Sequence, residues 1–135
     1  RPCRVNRSET LYGCLNNIQP MEKRMGKAQR TKGATGEREV CELIFQNLGI
    51  QVHRNLSQTR DGGADIKLNP YSLEVKRRVA IGNLYEWMEQ ASNGCEPGER
   101  PIVVCRADRK EWLAILPIEE LFRLIREEVA ATGGK

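Results

Sequence analysis

Two short stretches, Ala64 to Leu68 and Ser72 to Arg77, constrain this chain most, because each alternates apolar and charged residues with a period of two. Ile66 and Leu68 alternate with Asp65 and Lys67, and Leu73 and Val75 with Glu74 and Lys76, so each reads as a strand with one face toward a core. Asn69-Pro70 makes the turn between them. Upstream, Val40, Leu43, Ile44 and Leu48 recur at helical spacing over Gly36 to Leu48, with Gly49 as a stop. Ile50 to Arg54 reads as a short strand, and Ser57 to Gly63 as a polar loop closed by Asp61-Gly62-Gly63. Downstream, Ile81, Leu84, Met88 and Ala91 mark a second helix. Ile102 to Cys105 and Trp112 to Leu116 are apolar on both sides and predict central strands of a covered sheet. Pro117 opens a last helix with Ile118, Leu121, Phe122, Ile125 and Val129 on its apolar face. Helix, three strands, helix, two strands, helix is the order of an α/β fold, a mixed sheet flanked by helices.

With 135 residues and 39% hydrophobic content, the chain has the material for one globular body. It contains no apolar run of membrane-spanning length and no signal-peptide pattern, so the expectation is a cytoplasmic protein without a membrane partner. Charge is unevenly placed. Residues 1 to 36 hold eight Lys and Arg against Glu9 and Glu22, a net of +6, which leaves −2 for the rest. This predicts a basic N-terminal arm over 1–31, flexible or exchanged between subunits, and a folded domain over 32–135. A basic arm suits a polyanion, since paired phosphates release counterions, although a solvated tail would have the same composition. Five cysteines without a C-x-x-C pair make neither a disulfide framework nor a zinc site. Cys41 and Cys105 read as small core residues, whereas Cys3 and Cys14 have no assigned role.

The chemistry-bearing residues lie on the two alternating strands. Glu74 and Lys76 leave one face of theirs, and the short connection brings Asp65 of the neighbouring strand beside Glu74. Two adjacent carboxylates repel unless a cation lies between them, and hard oxygen ligands favour magnesium or manganese. Such an ion acidifies water and stabilises phosphoryl oxygens, with Lys76 placed to orient a nucleophile or neutralise charge. A surface salt-bridge ladder would show the same alternation. Glu37 falls on the core-facing side of the first helix, three residues before Val40 and seven before Ile44, where a carboxylate needs a reason. It is either a helix N-terminal contact or a third acid directed at the strands.

The pattern Gly36-Glu37, Gly63-Ala64-Asp65 and Glu74-Val75-Lys76 resembles the PD-(D/E)XK nucleases, with Ala64 where a proline often stands. More narrowly, Lys32 to Glu39, Arg54 to Asp65, Leu73 to Arg77, Gln90-Ala91 and the Trp112 to Pro117 strand end look like phage-type Holliday junction resolvases. The resemblance covers about residues 32 to 118. It implies a restriction-endonuclease-like core, a homodimer, and divalent-metal cleavage of paired strands at a four-way DNA junction. By it, Glu37, Asp65 and Glu74 hold Mg2+ (or Mn2+ in its place) together with the Val75 main-chain carbonyl, Lys76 is the catalytic lysine, and Gln90 is an auxiliary.

Lys32, Arg54, Gln58, Arg60, Arg77, Arg78 and Gln90 are the expected DNA contacts, the arginines reading as phosphate-holding side chains or as ordinary solvated charge. His53 is the only histidine, which excludes a Ser-His-Asp triad and a His-rich zinc centre within this chain. No Walker-type glycine loop is present, so no nucleotide cofactor is expected. Two other functions remain open on sequence: a general or restriction-like duplex endonuclease, and a non-catalytic DNA-binding subunit of the same fold.

Overall fold

A computed structural model describes residues 7–56 and 63–133, of which residues 7–25 are described by backbone alone. The chain packs as two compact units, Arg1–Lys32 and Gly33–Lys135. Helix α1 is Arg7–Leu48, much longer than the Gly36 to Leu48 span its apolar period marks. The segment from Met21 to Arg30 is rich in Glu, Lys, Arg, Gln and Ala, which hold helical backbone by propensity and need no apolar stripe. Gly33 and Gly36 do not end it. Gly36 is there for space, because a Cβ at that position would lie 2.9 Å from the Arg77 Cβ and 3.4 Å from the Trp112 ring.

Four strands follow: β1 (Ile66–Leu68), β2 (Tyr71–Arg78), β3 (Arg100–Ala107) and β4 (Leu113–Ile115), in the order β1-β2-β3-β4. Helix α2 (Leu84–Asn93) lies between β2 and β3 in sequence, and α3 (Ile118–Ala131) follows β4. The β1–β2 and β3–β4 pairs are antiparallel and β2–β3 is parallel, so the sheet is mixed. The α/β expectation is met. A crossover through α2 supplies the parallel pair, and Asn83 caps that helix by accepting from the Tyr85 and Glu86 N–H groups.

The sheet has a small core on each face. Val40 of α1 packs with Ile66, Leu73 and Val75 on one side. Ala91 of α2 packs with Val103 and Cys105 on the other, supported by Trp87 and Met88. Parallel register places Glu74 opposite Val103 and Lys76 opposite Cys105, so the charged face of β2 looks toward the α2 side. Gly94 ends α2 against the chain entering β1, where a Cβ would meet the Gly63 carbonyl carbon at 3.0 Å.

Three expectations are corrected. Ile50 to Arg54 is not a strand: a single bridge from Arg54 to Ile66 and the Asn55 N–H donating to the Asp65 carbonyl at 2.8 Å tie this segment to β1. The partner strand is only three residues long, which leaves no ladder to extend. The run Trp112 to Leu116 is not a central strand, since β4 closes the sheet order and Leu113 is 57% exposed. Nor does the apolar stripe of α3 make core: that helix contains no buried residue. Among the described residues no helix is long and apolar enough to cross a membrane.

Candidate active site

Asp65, Glu74 and Lys76 are buried to 5%, 3% and 7% exposure, which is unusual for residues of these types and demands compensation. The backbone supplies part of it. Asp65 stands one step beyond the Ile66–Leu73 pair, opposite Glu74, and its Oδ2 accepts from the Val75 N–H at 2.7 Å. Val75 itself is buried in the core on the opposite face, so the strand is pinned from both sides. Lys76 Nζ makes an ion pair with Glu74 Oε1 at 2.8 Å and donates to Gln90 Oε1 of α2 at 2.7 Å. One ammonium is thereby oriented by a neighbour on its own strand and by the helix that covers that face.

The compensation is incomplete at Glu74. Burial raises its proton affinity above the ordinary carboxylate range, the nearby Asp65 and Glu37 charges push the same way, and Lys76 only partly opposes them. Burial thus outweighs the one ammonium that meets this carboxylate. Asp65 and Glu74 offer hard oxygen donors from adjacent strands, and a divalent cation beside them would favour their charged forms, so the donor chemistry fits Mg2+ or Mn2+. Among the described residues no group of three His, Cys, Asp or Glu side chains converges on one point.

Glu37 projects from α1 and is mostly shielded, as its helical position predicts, but its partner is a cation: Arg54 Nε donates to Glu37 Oε2 at 2.6 Å. Arg54, an expected DNA contact, is found on this acid. Arg77 pairs with Glu39 at 3.5 Å, and its Nε is buried with no hydrogen-bond partner among the described residues. Arg78 is exposed and donates to the Arg77 carbonyl. Lys32 lies in the first compact unit, on α1. Gln58 and Arg60 lie outside the described residues. His53 is exposed, beside Arg54.

One contributor escapes a reading of the sequence. Glu39 accepts from Arg106 as well as pairing with Arg77, and Arg106 lies over the Trp112 ring at 5.9 Å, joining α1, β2, β3 and the residue before β4. Glu39 and Arg106 are 67 positions apart, and no local spacing marks such a pair. The thiols are passive: burial pushes both Cys41 and Cys105 up, away from thiolate.

No curated protein and no solved structure shows a significant match to this chain. A family model does match. The model described as "Phage putative PDDEXK endonuclease" matches residues 28–133, most of the chain, and the protein belongs to that family of endonucleases.

Proposed function

We propose that the protein is a Mg2+-dependent endodeoxyribonuclease that resolves branched DNA, four-way junctions above all, by hydrolysis of a phosphodiester bond in each of two strands. The observation that carries this reading is the buried Asp65–Glu74–Lys76 cluster, in which Lys76 is fixed by Glu74 at 2.8 Å and Gln90 at 2.7 Å while burial and the Asp65 charge hold Glu74 above the ordinary carboxylate range. Mn2+ would serve in place of Mg2+. Asp65 and Glu74 would hold the ion, with Glu37 and the Val75 carbonyl completing its protein ligands.

A bound divalent ion supplies Lewis acidity at the phosphate and lowers the pKa of nearby water. The chain's own groups do the rest. Lys76, buried and held between Glu74 and Gln90, would donate to the attacking oxygen or to a non-bridging phosphate oxygen as charge develops. Arg77 and Arg78, which follow it on β2, would hold flanking phosphates, as would Arg54, Gln58, Arg60 and Lys32. Paired cuts need two such sites, which a homodimer supplies by symmetry. The setting is the cytoplasm, of the host cell for a phage protein.

The test is incubation of labelled four-way junction, linear duplex and single strands of the same sequence with Mg2+ and with EDTA. Symmetric, Mg2+-dependent nicks confined to the junction are expected. Equal cutting of duplex would replace junction resolution with general endonuclease action, and tight binding with no cutting would make the chain a binding subunit.

A further inference from the structure

Arg54 belongs to two neighbourhoods. On one side its Nε donates to Glu37 Oε2 at 2.6 Å. On the other it lines, with Arg38, Phe45, Val52 and His53, a groove of about 500 Å³ between one face of α1 and the segment that follows it. The groove's one carboxylate, Glu42, accepts from Gln46 Nε2 at 2.9 Å. Arg38 and His53 are exposed, and Arg54 keeps 21% of its side chain open to solvent. Arg38 and Arg54 bring positive charge to a groove also lined by apolar Phe45, Val52 and Leu56, and Arg54 bridges to Ile66, the neighbour of Asp65.

Glu37 is near enough to Glu74 for its charge to be felt there. Yet the three acids do not converge among the described residues, and the guanidinium is what holds Glu37. A guanidinium binds a phosphodiester in the same two-pronged way it binds a carboxylate, so the two anions are interchangeable partners for it. Releasing Glu37 toward Asp65 and Glu74 gathers three negative charges, which is favourable only when a divalent cation is present to meet them.

We propose that Arg54 is a positioning residue that exchanges partners: in the free protein it retains Glu37, and a phosphodiester of the bound strand entering the groove takes the guanidinium and frees Glu37 for the Asp65–Glu74 site. Strand and divalent ion then favour each other's binding through one side chain. The proposal rests on the reading of Asp65 and Glu74 as the divalent-ion site.

The test is Mn2+ binding to the DNA-free protein, read from the electron paramagnetic resonance signal of unbound ion, for wild type, Arg54→Gln, Glu37→Gln, the double variant and Asp65→Asn. Partner exchange predicts that Glu37→Gln stays within about twofold of wild type, because that carboxylate is already held, and that Arg54→Gln tightens Mn2+ roughly fivefold. Adding Glu37→Gln to Arg54→Gln removes the whole gain. Equal tightening in both backgrounds would reduce Arg54 to a nearby positive charge and overturn the proposal, as would weaker binding in Arg54→Gln. If Arg54→Gln fails to fold, Arg54→Lys serves: it retains the charge, so a purely Coulombic role predicts no change, whereas a loosened hold predicts tightening that Glu37→Gln abolishes. Wild type without any Asp65-dependent Mn2+ binding would overturn the ion site and this proposal together, which separates the two failures.

Discussion

Strand β2 carries a charged cluster toward each end, and the two are opposites. At its start, the Tyr71 hydroxyl donates to Glu120 Oε1 at 3.0 Å, Arg123 donates to the same carboxylate at 2.6 Å, and Arg100 adds a third contact at 3.4 Å. Glu120 is accordingly held below the ordinary carboxylate range, chiefly by the Arg123 hydrogen bond. Further along, Glu74 is held above that range by burial and by Asp65. Donors surround the acid in one cluster, and burial outweighs the cation in the other. The first needs nothing more and fastens α3 to the sheet. The second is costly in the free chain, and a cost of that kind is characteristic of a site built for a ligand with positive charge.

The largest difference between the clusters is expected in cleavage. Asp65→Asn and Glu74→Gln should each lower the rate by roughly two to three orders of magnitude, as removing a group that stabilises developing charge does. Glu120→Gln should stay within about twofold. Gel-resolved cleavage of labelled DNA checks this, and a comparable drop in Glu120→Gln would erase the distinction. Divalent ion sharpens it further: adding Mg2+ or Mn2+ to the DNA-free protein should raise its unfolding temperature, an effect that Asp65→Asn removes and Glu120→Gln retains. Calorimetric or fluorescence melts with ion and with EDTA decide it.

Stability against pH separates the clusters with opposite signs. Glu74 binds its proton more tightly folded than unfolded, so the ion-free protein loses stability as pH rises from the ordinary value of 4.5 through the raised one. Glu74→Gln should flatten that fall, whatever it costs by leaving the buried Lys76 ammonium without its carboxylate. Glu120 contributes stability that is present above its unfolded value and lost as pH falls through its lowered one. Glu120→Gln should therefore cost about 1 kcal/mol at neutral pH, with the gap closing in acid. Urea unfolding at a series of pH values measures both slopes.

What could be read from sequence follows the range of the physics. Glu74 and Lys76 share a face because a strand has a period of two, and Asp65 comes beside Glu74 because Asn69-Pro70 allows a short return. These are local rules. The partners that finish the cluster are distant: Gln90 reaches Lys76 across 14 positions, Arg54 reaches Glu37 across 17, and Arg106 reaches Glu39 across 67. Packing chooses among many arginines, and spacing cannot. The apolar stripe of α3 shows the converse, for periodicity marks Ile118, Phe122, Ile125 and Val129 correctly as one face but carries no information on whether anything covers it. Ile102 to Cys105 and Trp112 to Leu116 look alike as apolar runs, yet β3 is interior to the sheet and β4 is its edge. Sheet order is a long-range property.

The smallest effect on the chemical step is expected from the N-terminal arm. Removing residues 1–31 takes away basic groups without touching Asp65, Glu74 or Lys76, so the rate at saturating DNA should hold while affinity falls. Every phosphate that the arm no longer neutralises makes the dependence of log affinity on log salt shallower by roughly 0.9. Binding titrations at several salt concentrations measure this, and an unchanged slope would assign the arm to packing or subunit contact.

Whether the buried Asp65–Glu74–Lys76 cluster is a divalent-metal nuclease site is tested most directly by one paired measurement on Asp65→Asn beside wild type: cleavage of labelled branched DNA in Mg2+, and binding of the same DNA in EDTA. A metal site at Asp65 predicts cleavage by wild type alone and matched binding by both. Undiminished cleavage by Asp65→Asn would contradict it.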